Sequence, residues 1–390
     1  MLSLPYVTRI LGADKYGVFS IALNIITYLQ VLVEYGFGMS ATRKIAQSDD
    51  DSHINRLFSS VLLSRGLLLI LSIMISVAYI AFANGDTEEN VCIIILSLTL
   101  VATTFQLNWL FHGKQDMMYP AILTMVSRML SLIFTIAFVK AASDIYLYCV
   151  IYSVFPLIGN TVSLLFAKKQ YKIKLEKVSI SNICCELKDG WYVFTTQMSS
   201  KVFAGIGVTF LGIFATTFET GVYSTIQKIP YILTLIWSPI GQVIYPMLSQ
   251  KYDDSFECGL DYVKKMMRFF VSAFFLMCLL IGVFAKPIVY VVFGNEYVPF
   301  FYWIYPQLLW AFFGILNNFL GVQILLASGY DKVYARCFYM GVVFNIAINL
   351  LLIMRLGGWG ASIAPLCSEV FLTVLMLCSI LKIKKGFVKK

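Results

Sequence analysis

Charge is what this sequence has least of. Only 13% of its 390 residues are Asp, Glu, Lys or Arg, about half the roughly 25% usual for a soluble domain. Histidine is nearly missing. His53 and His112 stand far apart, which leaves no imidazole pair with metal-ligand spacing. Cysteine occurs without any CxxC or zinc-type spacing. Cys184 and Cys185 are adjacent, and Cys92, Cys149, Cys278 and Cys378 sit inside apolar runs as small hydrophobes. No polar connection is long enough to fold as a soluble domain or to present catalytic groups on a large loop. No nucleophile–base arrangement or metal cluster stands out. The expectation is therefore a protein that is not an enzyme and needs no cofactor or metal.

What is present is apolar residue, at 59% of the chain, with a mean hydropathy of +0.80. A chain this long and this apolar cannot hide its surface in a water-soluble core, so the bilayer must be its solvent. A spanning helix needs roughly 20 apolar residues. Such runs recur at 16–38, 57–82, 91–111, 118–139, 145–167, 191–214, 223–248, 266–286, 301–327, 333–355 and 359–381. The expected fold is an all-α integral membrane protein of about eleven spans.

The basic residues set the orientation. Alternate connections and the tail carry Arg43, Lys44, Arg56, Lys114, a run from Lys168 to Lys188, then Lys251, Lys264, Lys265, Arg268, Lys332, Arg336 and Lys382 to Lys390. The opposite side holds only Arg9, Lys15, Lys140, Lys286 and Arg355. The richer side is cytoplasmic by the positive-inside rule, and the acidic segment 86–89 falls outside. This puts the C-terminus inside and Met1 outside. Residues 1–12 are apolar, too short to span, and lack the basic start of a cleavable leader. They read as the tail of a helix that begins upstream, so the first helix of a twelve-helix protein is expected to be missing here.

Shifted by 204 residues, the sequence partly matches itself. Tyr16-Gly17-Val18-Phe19-Ser20 falls on Thr220-Gly221-Val222-Tyr223-Ser224, and Ile25 falls on Ile229. Both copies run in the same direction, half a twelve-helix protein apart, which is a parallel transporter repeat. The expected organisation is an N-terminal lobe over 1–177 with five complete spans and a C-terminal lobe over 178–390 with six. In the basic linker 168–190, Ile183, Cys184 and Leu187 share one helical face, which suggests a segment lying along the cytoplasmic membrane surface.

Ionisable groups inside a span are costly and usually face protein or water. Arg128, Lys201 and Glu369 lie mid-span. Lys228 is in the outer part of its span, and Glu34 and Arg65 are nearer cytoplasmic ends. In 223–248, the residues Ser224, Gln227, Lys228, Tyr231, Thr234, Ser238, Gln242 and Tyr245 fall within an arc of roughly 120°. The related span 16–38 gathers Asn24, Thr27, Tyr28, Gln30, Glu34 and Tyr35 on one side. Gln197 sits one turn before Lys201. Lys and Arg suit phosphate, and amides, hydroxyls and Tyr rings suit sugars. The candidate substrate-binding set is Lys201, Lys228, Arg128, Arg65, Gln197, Gln227, Tyr231 and Asn24, with Glu34 and Glu369 as candidates for ion coupling. The bland alternative for each cation is a helix–helix partner or snorkelling to a headgroup. Each carboxylate can equally neutralise a nearby cation. Asn345 and Asn349, one turn apart, read as packing glue.

The opening Pro5-Tyr6-Val7-Thr8-Arg9-Ile10-Leu11-Gly12, then Tyr16-Gly17, Gly36-Phe37 and Ser40-Ala41-Thr42-Arg43, resemble the bacterial polysaccharide-export flippases of the O-antigen type. So do Phe293-Gly294 with Tyr297, and the stretch 357–361 with Glu369. That family shares a superfamily with multidrug and toxin extrusion transporters and lipid II flippases. The resemblance implies two six-helix lobes around a central cavity lined by the first two spans of each lobe, and alternating access. It also implies an undecaprenyl-diphosphate-linked repeat unit as substrate, the bacterial inner membrane as location, and a glycan polymerase and chain-length regulator as candidate partners. The competing reading is an ion-coupled antiporter for organic cations on the same fold. Cations outnumber acids on the candidate spans, which ranks it second.

Overall fold

A computed structural model describes residues 3–48, 50–82 and 86–388; Lys389 and Lys390 of the basic tail lie outside the described residues. Every regular element described is helical. The chain divides into two compact units, 1–205 and 206–390.

In the first unit α1 (Leu4–Glu34) leads into α2 (Phe37–Ala46), followed by α3 (Asp51–Phe82). One further crossing is broken into α4 (Thr87–Leu96), α5 (Leu98–Thr104) and α6 (Asn108–Gly113). Then come α7 (Met118–Phe138), α8 (Ile145–Gln170) and the start of α9 (Ile180–Phe214). The second unit contains α10 (Thr217–Ile226), α11 (Lys228–Asp254), α12 (Phe256–Val283) and α13 (Ala285–Phe293). It ends with α14 (Ile304–Asn318), a π-helical stretch over Phe319–Leu326, and α15 (Asp331–Val388).

Ten stretches among the described residues are long and apolar enough to cross a bilayer. The last, Asp331–Lys384, is 54 residues long, or about 80 Å of helix at 1.5 Å per residue, against a hydrocarbon core of about 30 Å. It is two crossings. Gly357 breaks it with φ 56°, and the arms fold back antiparallel. Asn345 Nδ2 donates to Ser368 Oγ at 3.0 Å, and a Cβ on Gly341 would stand 2.4 Å from Leu372 Cδ2. Glu219 holds this turn by accepting a hydrogen bond from the Gly358 N–H at 3.1 Å. Eleven crossings result, at the positions expected from the apolar runs.

Polar residues are turned inward and apolar ones outward, as a lipid solvent requires. In α3, Ser60, Ser64, Ser72 and Ser76 are buried while Leu67, Ile70, Met74 and Val77 are exposed. In α7 only Pro120, Ser127 and Thr135 are buried. Ser127 Oγ donates to the Phe155 carbonyl at 2.6 Å, and the Cβ position of Gly159 lies 3.1 Å from it. Small residues let the two backbones approach, which is how helices bind one another where lipid removes the hydrophobic drive.

Lys15 and Lys44, which the charge pattern assigns to opposite sides of the membrane, are both ion-paired. Lys15 Nζ donates to Glu88 Oε1 at 2.6 Å. Lys44 Nζ meets Glu186 Oε1 and Asp189 Oδ2, each at 2.8 Å. The second pair corrects one expectation. Residues 180–190 do not form a separate surface helix; they are the first turns of α9. Glu186 is buried, Leu187 packs on the apolar cluster around Phe37 and Trp109, and Cys184 is exposed. The tail reading of 1–12 also meets a break, because Gly12 (φ 73°, ψ 172°) leaves helical geometry before α1 resumes at Ala13. Under the 204-residue shift Gly12 falls on Thr216. Thr216 caps α10 by accepting the Glu219 N–H at 3.2 Å, so the repeat marks the start of the same helix in each unit.

Candidate functional site

In the first unit, α1 and α9 run side by side along the expected polar stripe. Asn24 Nδ2 donates to the Gly205 carbonyl at 3.2 Å. A Cβ on Gly205 would lie 2.5 Å from Asn24 Oδ1 and 2.7 Å from Tyr28 Oη, so a larger residue there would push these two side chains aside. Lower down, Tyr35 stacks on Phe194 with ring centres 4.6 Å apart and planes 13° from parallel. On the same helix Lys201 is exposed and Gln197 is half-buried. Gln197 Oε1 is inaccessible and has no hydrogen-bond partner among the described residues. Asn24, Gln197 and Lys201 are thus gathered on neighbouring turns. Glu34 is half-buried at the α1–α2 break, with Oε1 3.5 Å from the Cβ position of Gly38.

Of the two other expected cations, Arg65 stands within electrostatic reach of Glu34. Arg65 is 2% exposed, and its Nη1 donates to the carbonyls of Gln106 at 2.5 Å and Thr103 at 3.3 Å. These carbonyls border the break between α5 and α6, where helical partners run out. Its guanidinium also lies 5.9 Å from the centre of the Phe37 ring. Arg128 is exposed on α7, within electrostatic reach of Tyr152.

In the second unit the stripe behaves as one surface. Pro230 has no N–H to offer the Ile226 carbonyl, which interrupts the hydrogen-bond ladder where α10 passes into α11, with Gln227 keeping helical angles (φ −57°, ψ −25°). Lys228 is the first residue of α11. It is half-buried, and among the described residues its Nζ makes no hydrogen bond and no ion pair. Gln227 Nε2 donates to Tyr223 Oη at 3.0 Å, and Tyr231 is 42% exposed. One to four turns further along α11, Thr234, Ser238, Gln242 and Tyr245 line a cavity of about 620 Å³.

The far wall of that cavity comes from α14, the π-helical stretch and the second arm of α15. It contributes Trp310, Gly314, Asn318, Gln323 and Glu369. Glu369 is buried, with Oε2 accepting from Asn317 Nδ2 at 2.7 Å. Asn317 Oδ1 in turn accepts from Thr373 Oγ1 at 2.8 Å. Gln323 Nε2 donates to the Gly241 carbonyl at 2.9 Å. Its Oε1, and the indole N–H of Trp237 on α11, are buried without partners among the described residues. The sequence reading found the α11 face and Glu369. It missed Trp237, Trp310, Asn318 and Gln323, which sit in runs too apolar to show a stripe. The signal was four amides, Gln307, Asn317, Asn318 and Gln323, inside a span without charged residues.

The polysaccharide biosynthesis protein family matches residues 1–251. A candidate O-antigen transporter of Shigella dysenteriae is 24% identical over 96% of this chain and 93% of its own length. Two solved structures share the fold. A lipid II flippase in an inward closed conformation has TM-score 0.78 and 14% identity, covering 97% of this chain and 85% of its own. An inward-facing multidrug resistance transporter of the MATE family has TM-score 0.74 and 12% identity, covering 98% and 97%. With the family matched over more than half the chain, along the length that holds the α1 stripe, Lys201 and Lys228, the chain belongs to the polysaccharide biosynthesis protein family.

Proposed function

We propose that this chain is a flippase of the bacterial inner membrane that carries a lipid-linked oligosaccharide, its diphosphate included, from the inner to the outer leaflet by alternating access. It performs no covalent chemistry on its cargo, and its substrate partner is the undecaprenyl-diphosphate-linked repeat unit.

Lys228 carries the reading. A cation placed within a span, half-buried and without an acidic partner among the described residues, bears a desolvation cost with no internal compensation. A diphosphate supplies that compensation, and a Lys ammonium is a natural point-charge partner for phosphate. Lys201, exposed beside Gln197, is the second anion-binding candidate, and Arg128 is the third. Arg65 is assigned to bracing the α5–α6 break, where its Nη1 bonds two carbonyls, while its buried Nε has no partner among the described residues. Gln227, Tyr231 and Asn24 supply hydrogen-bonding groups beside the cations. Glu34, at the α1–α2 break, is the carboxylate proposed for ion coupling.

The relatives named above support transport as the activity. The organic-cation antiporter draws on the Glu369 carboxylate and the aromatic walls of the second-unit cavity. The unpaired Lys228 weighs against it, because a cationic cargo would meet like charge there.

The test is in a glycan-producing cell that depends on this protein. Lys201→Ala, Lys228→Ala and Arg128→Ala are introduced singly. The expected result is loss of surface glycan with lipid-linked units accumulating in the inner leaflet at normal protein level. Unchanged glycan in all three variants removes the anion site from the account.

A further inference from the structure

The second-unit cavity is unlike its neighbour Lys228 in chemistry. Among the described residues no Lys or Arg lines it. Its lining joins two indoles and a phenol, Trp237, Trp310 and Tyr245, to the amides of Gln242 and Gln323 and the carboxyl group of Glu369. Its polar capacity is partly unspent. Trp237 N–H and Gln323 Oε1 are buried with no partner among the described residues. Trp237 is 4% exposed and Gln323 0%. Buried polar atoms are normally satisfied, and here an orphan donor on α11 and an orphan acceptor on the facing wall leave hydrogen-bonding capacity beside the cavity. Glu369 adds a directed acceptor. Asn317 occupies Oε2, while Oε1 is 3.7 Å from the Cβ position of cavity-lining Gly314, whose missing side chain keeps that approach clear.

From these residues we infer that the cavity is a glycan subsite for uncharged, hydroxyl- and amide-bearing sugars such as N-acetylhexosamines, and that it disfavours sugars carrying a carboxylate. A sugar ring offers C–H faces to indole and phenol rings and a rim of hydroxyls to amides and a carboxyl oxygen, which matches this lining. The volume of about 620 Å³ lies inside the range of about 300–1,000 Å³ typical of ligand pockets. A uronic acid entering it would give up water and find no cation in return, while Glu369 adds a second acid.

Position fits the same cargo. Lys228 and Ser238 stand ten positions apart on one helix face, about 15 Å at 1.5 Å per residue. A diphosphate held at Lys228 therefore leaves the attached sugar directed along α11 toward the cavity. The inference rests on the flippase reading and names the sugar class for it.

The test uses the full chain in nanodiscs and three radiolabelled probes in equilibrium binding. They are farnesyl diphosphate, its N-acetylglucosaminyl conjugate and its glucuronosyl conjugate. The N-acetylglucosaminyl probe is expected to bind about tenfold tighter than farnesyl diphosphate, equivalent to about 1.4 kcal/mol. The glucuronosyl probe is expected to gain nothing. In Gln242→Ala and in Glu369→Gln the ratio of the first two affinities should fall toward one. Because the readout is a ratio within one protein, a partly misfolded variant does not mimic it. A ratio of one in the wild type, a ratio that survives both substitutions, or an equal gain from glucuronic acid overturns the subsite while leaving the flippase reading standing. Failure of all three probes to bind overturns both. An ion-coupling role for Glu369 in place of a sugar contact would appear as an unchanged ratio in Glu369→Gln with transport lost, and that also overturns the subsite.

Discussion

At the scale of single residues, the polar groups inside the spans fall into two kinds. Some are engaged in the fold. Arg65 closes two carbonyls at the α5–α6 break, and charge-assisted bonds of this sort contribute about 1.5–3 kcal/mol each. Arg65→Ala is expected to lower the melting temperature of the detergent-solubilised protein by several degrees, and a melting temperature equal to wild type would show that the bonds are not structural. Gly357 is committed in another way. Its φ of 56° and a Cβ position 2.5 Å from Glu219 Oε2 make Gly357→Ala costly by about 1–3 kcal/mol through backbone strain, with the clash added. Thermal unfolding of a double-mutant cycle, Gly357→Ala and Glu219→Ala singly and together, separates the two, since the Glu219→Ala single variant accounts for the lost Gly358 hydrogen bond. The other kind, Lys228 and Lys201, has no such internal commitment among the described residues, and these are the groups proposed to meet the cargo.

At the scale of elements, the breaks matter more than the helices. The π-helical stretch over Phe319–Leu326 turns Gln323 toward Gly241 and the cavity; such segments recur at functional sites. The interrupted hydrogen-bond ladder at Gln227 follows from Pro230 and lies beside Lys228. Pro230→Ala restores an N–H for the Ile226 carbonyl. It is expected to raise the melting temperature and slow transport, and a variant that is both more stable and fully active would detach the interruption from function. The eleven crossings were legible in the sequence because a run of apolar residues states its own requirement for lipid. The α11 face was legible because a helix with polar groups confined to one side shows a 3.6-residue period. The π-helical stretch was not, since its residues are apolar but for Gln323 and no period marks a change in helix type. The fate of residues 180–190 was also hidden. Their amphipathic pattern fits a surface helix as well as the first turns of α9, and Lys44, far away in sequence, decides between them by pairing with Glu186 and Asp189.

At the scale of the whole molecule, the account is that a chain with almost no charge to spare keeps positive groups within its spans to receive a negatively charged lipid-linked sugar. Loss of Lys228 should act on transport and leave folding intact, because no described partner is orphaned with it. The measurement that bears on this most directly is flipping by the purified protein in proteoliposomes, using a fluorescent undecaprenyl-diphosphate-linked oligosaccharide and scoring the fraction reaching the opposite leaflet. The account predicts transfer well above protein-free vesicles, reduced about tenfold or more by Lys228→Ala, a loss of about 1.4 kcal/mol or more of differential binding, with the melting temperature unchanged. Equal transfer by wild type and Lys228→Ala, at equal protein incorporation, would contradict it.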